Sequence, residues 1–274
     1  MTGEQPESQS KGPLSGLRAI ELGSTVAGPF CARLLADFGA DVIKVEQGEG
    51  DAVRSMGRQC NGRSLYGASI LRGKRAVSIN LRTQEGRALV RRLCEKADIV
   101  VENFRAGTME RWGLGYETLS AVNPGLVMVR ISGYGQDGPY SDRGGYGVVC
   151  EAVSGLREIT GDPDRPPPRV ATSLTDYIAG LYGAFGAVMA VLEKTRTGRG
   201  QAAAGVWLAN AYLACDLEYL HKRGVHVVRA IVNDAITAGY DHVSVASARR
   251  GMMDARGWLY SDRAVDQRCR VRRR

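Results

Sequence analysis

Histidine is nearly missing from this chain: among 274 residues there are three, His221, His226 and His242, all late. The 220 residues before them hold no imidazole for proton transfer or metal binding. The six cysteines (Cys31, Cys60, Cys94, Cys150, Cys215, Cys269) form no C-x-x-C pair, which argues against zinc and disulfides and for reduced thiols in the cytoplasm. The longest strongly apolar run, Ile178 to Leu192, is 15 residues, short for a membrane span. No basic stretch followed by an apolar core opens the chain, so the expectation is no signal peptide and a disordered leader over residues 1–15. No G-x-G-x-x-G follows the first expected strand; GSTVAGP is a poor substitute, which weakens any nicotinamide dehydrogenase reading. From Arg249 to Arg274 there is neither Lys nor Glu, and nine Arg against three Asp supply +6 of the net +8. Without an aromatic-interleaved patch or a zinc motif, that tail does not amount to a nucleic-acid site.

What is present is an alternation of short β-branched segments with helical ones. Leu17–Gly23, Asp41–Glu46, Ala76–Leu81, Asp98–Phe104 and Leu126–Gly135 read as strands. Pro29–Phe38, Thr83–Lys96 and a short segment at Thr108–Trp112 read as helices between them. Gln47–Gly73 reads as a loop with a short helix near Leu65–Leu71. The pattern predicts an α/β fold: a doubly wound, Rossmann-like parallel sheet with helices on both faces. In such sheets ligands bind beyond the C-terminal strand ends, which singles out Gly23–Gly28, Gln47–Arg54, Asn103–Arg111 and Ser132–Pro139.

The segment Pro166–Gln201 carries the strongest chemical signal. A proline-rich loop leads through Arg169 and Ser173 to Asp176, where a long apolar helix begins. Gly180, Gly183 and Gly186 recur on it at three-residue spacing, which predicts close packing against another element. The helix dipole and unpaired N–H groups of a first turn are expected to keep Asp176 ionised, as a carboxylate nucleophile must be. A helix cap shared with Ser173 or Thr175 is the plainer alternative.

This segment resembles the signature of the family III CoA-transferases, R-x-G-x-S-x-x-D-x-x-A-G-L followed by an apolar helix ending R-T-G-R-G-Q. The matching residues are Arg169, Ser173, Asp176, Ala179, Gly180 and Leu181, then Arg196-Thr197-Gly198-Arg199-Gly200-Gln201. The likeness extends collinearly through Ala27-Gly28-Pro29, FGADVIKVE (Phe38–Glu46), VENF with Gly107, and Ser132–Pro139. It implies a CoA-transferase moving CoA from an acyl-CoA to a carboxylic acid, with Asp176 carrying acyl and then CoA. It further implies CoA as substrate, no permanently bound cofactor or metal, and an interlocked homodimer.

By the same resemblance, Thr25 and Val26 approach the pantetheine and acyl group, and Gln47 the adenosine. Lys74 and Arg75 fall in the slot for the CoA phosphates. Asn103, Phe104 and Arg111 surround the nucleotide, and Gly133 with Tyr134 end an active-site strand. Phe104 as a core residue, Lys74-Arg75 as a solvated turn and Thr25-Val26 as a helix-entry turn stay open alternatives. Related acyl-CoA racemases use a histidine where this chain has Tyr146, a poor base, so transfer is favoured over racemisation. Gly147 and Glu151 replace a common Asp and Gln of the transferases. After Gln201 the likeness lapses. The expected organisation is a CoA-binding domain over 16–201 and a divergent, incomplete small-domain region over 202–274, with a helix near Val206–Leu220 and an inactive CoA-binding remnant as the rival reading.

Overall fold

A computed structural model describes residues 12–137, 140–154, 156–162, 164–166 and 168–206. The helix expected near 206–220, beyond its first residue, the three histidines, Cys215, Cys269 and the arginine-rich end lie outside them. The chain opens with β1 (Arg18–Glu21), α1 (Ala27–Asp37) and β2 (Asp41–Glu46). A single 3-10 turn (Ala52–Ser55), the hairpin β3 (Gln59–Cys60) and β4 (Arg63–Ser64), and α2 (Leu65–Ile70) follow. Next come β5 (Lys74–Ser78), α3 (Gln84–Cys94), β6 (Ile99–Glu102), α4 (Thr108–Arg111), α5 (Tyr116–Val122) and β7 (Val127–Ser132). The last are α6 (Gly147–Val153), α7 (Leu156–Thr160), α8 (Leu174–Thr197) and β8 (Ala202–Val206).

Six strands form one parallel sheet in the order β5-β2-β1-β6-β7-β8. Counted within the sheet this is the doubly wound order 3-2-1-4-5-6, so the expected architecture holds. The reason is visible in the strand residues. In β7, Val127, Val129 and Ile131 face the core beneath α1 and α8, while Met128 faces the one beneath α3 and α5. In β6, Ile99 and Val101 divide from Val100 in the same way. Apolar residues on both faces of a strand require a helical layer on each side, which only crossover helices of parallel strands supply. Local caps agree with the tertiary order: Thr83 Oγ1 accepts the Gly86 N–H at the start of α3, and Ser64 Oγ that of Gly67 at α2.

The long helix α8 crosses α1 closely because it has glycine at the contact. A β-carbon at Gly180 would stand 2.8 Å from the Ala27 carbonyl oxygen and 2.9 Å from the Phe30 ring. At Gly183 it would meet Ile131 and Val129 at 3.2 Å, whereas at Gly186 only ordinary contact with Ala203 arises. Gly180→Val should therefore cost about 2–3 kcal/mol by forcing the helices apart. Urea unfolding at wild-type midpoint would contradict this crossing. α8 is also the one helix among the described residues long and apolar enough to cross a bilayer by length and composition. Here its small-residue side packs inward, with Ala179, Ala184, Ala187 and Ala190 buried, while Leu181, Tyr182, Phe185, Met189 and Leu192 stay exposed.

Several expectations change. The sheet runs past Gln201, since β8 pairs with β7 from Ala202 onward, so the break expected there falls inside the fold. The glycines of R-T-G-R-G-Q make that continuation feasible. Gly198 takes φ 71° to end α8, and Gly200 lies so close to Leu126 that no side chain fits. The expected leader shortens too: Leu14 is buried and its N–H donates to the Phe38 carbonyl at 2.9 Å. β5 begins at Lys74 rather than Ala76, and α5, α6 and α7 were unmarked by apolar periodicity because each is seven residues or fewer.

Candidate active site

The strand order reverses between β1 and β6, and the loops leaving their C-terminal ends, after Glu21 and after Glu102, diverge to opposite faces. Asn103 spans this crevice: its Oδ1 accepts the Ser24 N–H at 2.8 Å and its Nδ2 donates to the Ser24 carbonyl at 3.0 Å. A β-carbon at Gly23 or Gly28 would strike the Asn103 carboxamide, at 2.8 and 3.1 Å. These glycines serve the close approach of two loops rather than a dinucleotide pyrophosphate. Asn103 thereby shapes the crevice in addition to lining it.

Thr25 sits in this turn at φ 69°, and its N–H donates to Asp51 Oδ1 at 3.0 Å. Val26 follows, buried in a small cluster with Val53 and Ile70, against which Phe30, Tyr66 and Tyr177 pack. Beneath the turn lies a balanced set of buried charges. Lys44 Nζ reaches Glu21 at 2.7 Å, Asp51 at 2.8 Å and the Gly23 carbonyl at 2.8 Å. Burial opposes the Lys44 charge, but Glu21 and Asp51 outweigh it and hold its pKa above the ordinary lysine value.

Lys74 belongs to the same set, and this alters its expected role. Its Nζ donates to Glu21 Oε2 at 2.7 Å and to the Pro29 carbonyl at 2.6 Å, with its side chain only 2% exposed. Arg75 points the other way, as successive strand residues do, and pairs with Asp41 at 2.6 Å. Asp41 begins β2, so this pair marks the N-terminal rim of the sheet, opposite the crevice. Both cations are thus engaged within the fold, Lys74 by Glu21 and Arg75 by Asp41. The exposed cation past the C-terminal end of β5 is Arg82, whose N–H is held by Asn80 Oδ1 at 3.0 Å. Its signal was positional: a cation after a strand, not before one, reaches the ligand edge.

The other expected residues lie in the segments that follow C-terminal strand ends. Gln47 follows β2 and closes a turn with Gly50. Phe104 is half-buried, its ring edge-on to Trp112 at 5.0 Å between centroids, and its N–H donates to Glu102 Oε2 at 2.7 Å. Burial lifts the Glu102 carboxyl to about 7 although Arg130 lies against it. Arg111 is exposed at the end of α4, with Nη2 on the Thr108 hydroxyl at 2.8 Å. Gly133 passes so near Gly145 that a β-carbon would fall 2.6 Å from its Cα. Tyr134, 9% exposed, packs edge-on to Tyr140.

Asp176 is the third residue of α8, where its carboxyl meets its own first-turn backbone N–H. Ser173 occupies the N-cap position without a side-chain cap, and the Thr175 hydroxyl is buried with no hydrogen-bond partner. The Asp176 carboxyl lies over Gly147, where a β-carbon would stand 2.6 Å from Oδ2 and 2.4 Å from the Thr175 hydroxyl. Burial pushes its pKa from 3.8 to about 6, helped by the buried Glu151, against the pull of its own backbone N–H and Arg169. The first-turn position favours the charged form, as expected; desolvation outweighs it and raises the pKa, because one N–H contact replaces less than bulk water gave, yet Asp176 stays mostly ionised at neutral pH. The adjacent Tyr177 ties this end of α8 to the crevice loops, its hydroxyl donating to Tyr66 at 3.0 Å and its ring edge-on to Phe30. Tyr146, at the place of the racemase histidine, is 72% exposed.

Comparison with known proteins follows this geometry. Residues 14–246 match the model of CoA-transferase family III. The chain is 53% identical over 191 residues to the succinyl-CoA–D-citramalate CoA-transferase of Chloroflexus aurantiacus, covering 69% of this chain and 48% of that protein. It is 43% identical over 199 residues to the succinate–glutarate CoA-transferase of Agrobacterium fabrum, covering 70% and 50%. Among solved structures, a CAIB/BAIF family protein from Brucella suis superposes with a TM-score of 0.73 at 38% identity, covering 78% of this chain and 58% of that one. The chain spans about half the length of the curated relatives it matches. A matched stretch running from Leu14 through the crevice, Asp176 and β8 makes the chain a member of CoA-transferase family III.

Proposed function

We propose that this protein transfers CoA from an acyl-CoA to a carboxylic acid, with Asp176 as the nucleophile. The observation that carries the reading is a desolvated carboxylate at the start of α8, joined through Tyr177 and Phe30 to the switch-point crevice. An Asp176 oxygen attacks the thioester carbonyl, the C–S bond breaks, and the electron pair leaves on sulfur as CoA thiolate. The thiolate attacks the aspartyl carbonyl of the resulting anhydride, expelling the donor carboxylate and leaving aspartyl-CoA. The acceptor carboxylate then displaces the thiolate, which finally attacks the new acyl carbonyl and frees Asp176. No proton is gained or lost over the cycle, which fits the lack of histidine among the described residues. CoA is a substrate here, and no resident cofactor or metal is required.

The relatives carry succinyl-CoA, citramalate and glutarate in their names. Their likeness supports a short dicarboxylic acyl group as cargo. Crevice residues Thr25, Val26, Gln47, Asn103, Phe104, Arg111, Gly133 and Tyr134 are proposed to line the CoA path; Lys74 and Arg75 are not. A homodimer fits the exposed apolar face of α8, and a cytoplasmic setting fits the buried single thiols Cys31, Cys94 and Cys150.

The test is intact mass after incubation with succinyl-CoA, with Asp176→Ala alongside. An adduct confined to the unmutated chain supports the reading. A folded chain that binds CoA without forming an adduct favours the inactive remnant instead. Adduct formation should also rise with pH through about 6 and level off above it, because only the ionised Asp176 attacks. A rate flat from pH 5 to 8 would contradict that ionisation.

A further inference from the structure

Thr25 holds φ 69°, in the left-handed region that a β-branched residue seldom enters. Such a conformation persists only where its surroundings over-determine it, and it gathers at ligand clamps and active sites. Here the over-determining group is Asp51. Its Oδ1 accepts the N–H of Thr25 at 3.0 Å and that of Val53 at 3.0 Å, and its Oδ2 lies 3.3 Å from the Thr25 nitrogen and 2.8 Å from Lys44 Nζ. The Asp51 N–H is itself held by Glu46 Oε2 at 3.1 Å. One buried carboxylate therefore fastens the loop after β2 to the turn after β1, on the ligand side of the switch point. Glycine would accept this conformation without strain, yet the position holds a half-buried threonine.

We propose that Asp51 is a positioning residue for the acyl-CoA: it clasps Thr25 in the left-handed conformation so that the Ser24–Val26 turn keeps the shape against which the thioester arm rests. The inference rests on the CoA reading above and deepens it. Asp51 touches no substrate; it acts through the Thr25 amide. Burial works against its charge, but Lys44 and the two amides prevail and hold its pKa below the usual aspartate value, so the clasp is ionised at neutral pH.

The experiment titrates CoA into four forms by calorimetry, with thermal unfolding alongside: wild type, Asp51→Ala, Asp51→Asn, and Asp51→Ala with Thr25→Gly. Asp51→Ala should weaken CoA binding about tenfold or more. Asp51→Asn still presents an oxygen to Thr25 and should stay within about threefold of wild type, though less stable for the charge taken from Lys44. Glycine at position 25 needs no strain relief, so the double variant should regain about threefold over Asp51→Ala. A purely architectural Asp51 would shift melting temperatures without that ranking of affinities. Should Asp51→Ala fail to fold, Asp51→Ser takes its place with the same expectation, being polar beside Lys44 but too short to reach Thr25. A folded Asp51→Ala or Asp51→Ser that binds CoA like wild type overturns the proposal. So does equal weakening in the asparagine variant, or a double variant no better than the single. A wild-type chain that binds no CoA overturns the proposed function and this inference together, whereas binding indifferent to Asp51 overturns this inference alone.

Discussion

Asp176→Asn is expected to abolish covalent adduct formation and, at the same time, to stabilise the chain at pH 7. The loss should be about 10³-fold or more in the rate of acyl transfer to protein, since an amide offers no charged oxygen to the thioester. The gain in stability follows from burial. The native carboxyl titrates at about 6, above the 3.8 of an ordinary aspartate. Between those values the folded chain keeps a proton that the unfolded chain has released, so stability falls as pH rises through the window. The penalty is complete above about 6 and absent below about 4. Asparagine carries none of it, and with Asp176 only partly buried the gain should be about 1–2 kcal/mol at pH 7. Denaturant unfolding of both forms at pH 4 and 7 measures it; an equal gain at both would show that something other than the Asp176 charge is responsible. Lower stability traded for a reactive group is common at active sites.

Lys44→Met should be the most damaging substitution beneath the crevice, at about 3–5 kcal/mol. Lys44 is 1% exposed and lies between Glu21 and Asp51, themselves 0% and 1% exposed at their side chains. Glu21 would retain Lys74, but Asp51 would lose its ion-pair partner and remain a buried anion held by backbone amides alone. The contrast is Arg75, which pairs with Asp41 from a side chain 66% exposed, Asp41 being 39% exposed itself. Arg75→Met should cost under about 1 kcal/mol, because water already screens that pair. Urea midpoints of the two variants, measured side by side, decide the matter; equal losses would mean that burial of the Lys44 set contributes nothing special.

Much of the architecture was readable along the chain. Strands such as Ile99–Glu102 and Val127–Ser132 are short apolar runs, and their burial on both faces follows from composition. Asp176 was readable because its neighbours, from Arg169 to the glycines after α8, stand in a fixed order that local chemistry also explains. The misplaced cations show the limit. Lys74 and Arg75 are adjacent in sequence, yet one is drawn under α1 to Glu21 and the other to Asp41 on the far rim. Strand alternation makes that divergence certain once β5 is known to start at Lys74, two residues earlier than its β-branched residues suggest.

The linear sequence thus determined the class of fold, the order of five of its six parallel strands, and the aspartate on which the chemistry is proposed to turn. These depend on periodicity and on residues close together in the chain. Tertiary structure alone decided the pKa of Asp176, the Asp51 clasp on Thr25, the Asn103 bridge to Ser24 and the burial of Lys44 and Lys74. Asp51 and Thr25 are 26 residues apart, and Asn103 and Ser24 are 79 apart. Groups that far apart in sequence meet only after the strands have taken their places. What each then becomes, a clasp, a bridge or a nucleophile, depends on how much water the fold leaves around it.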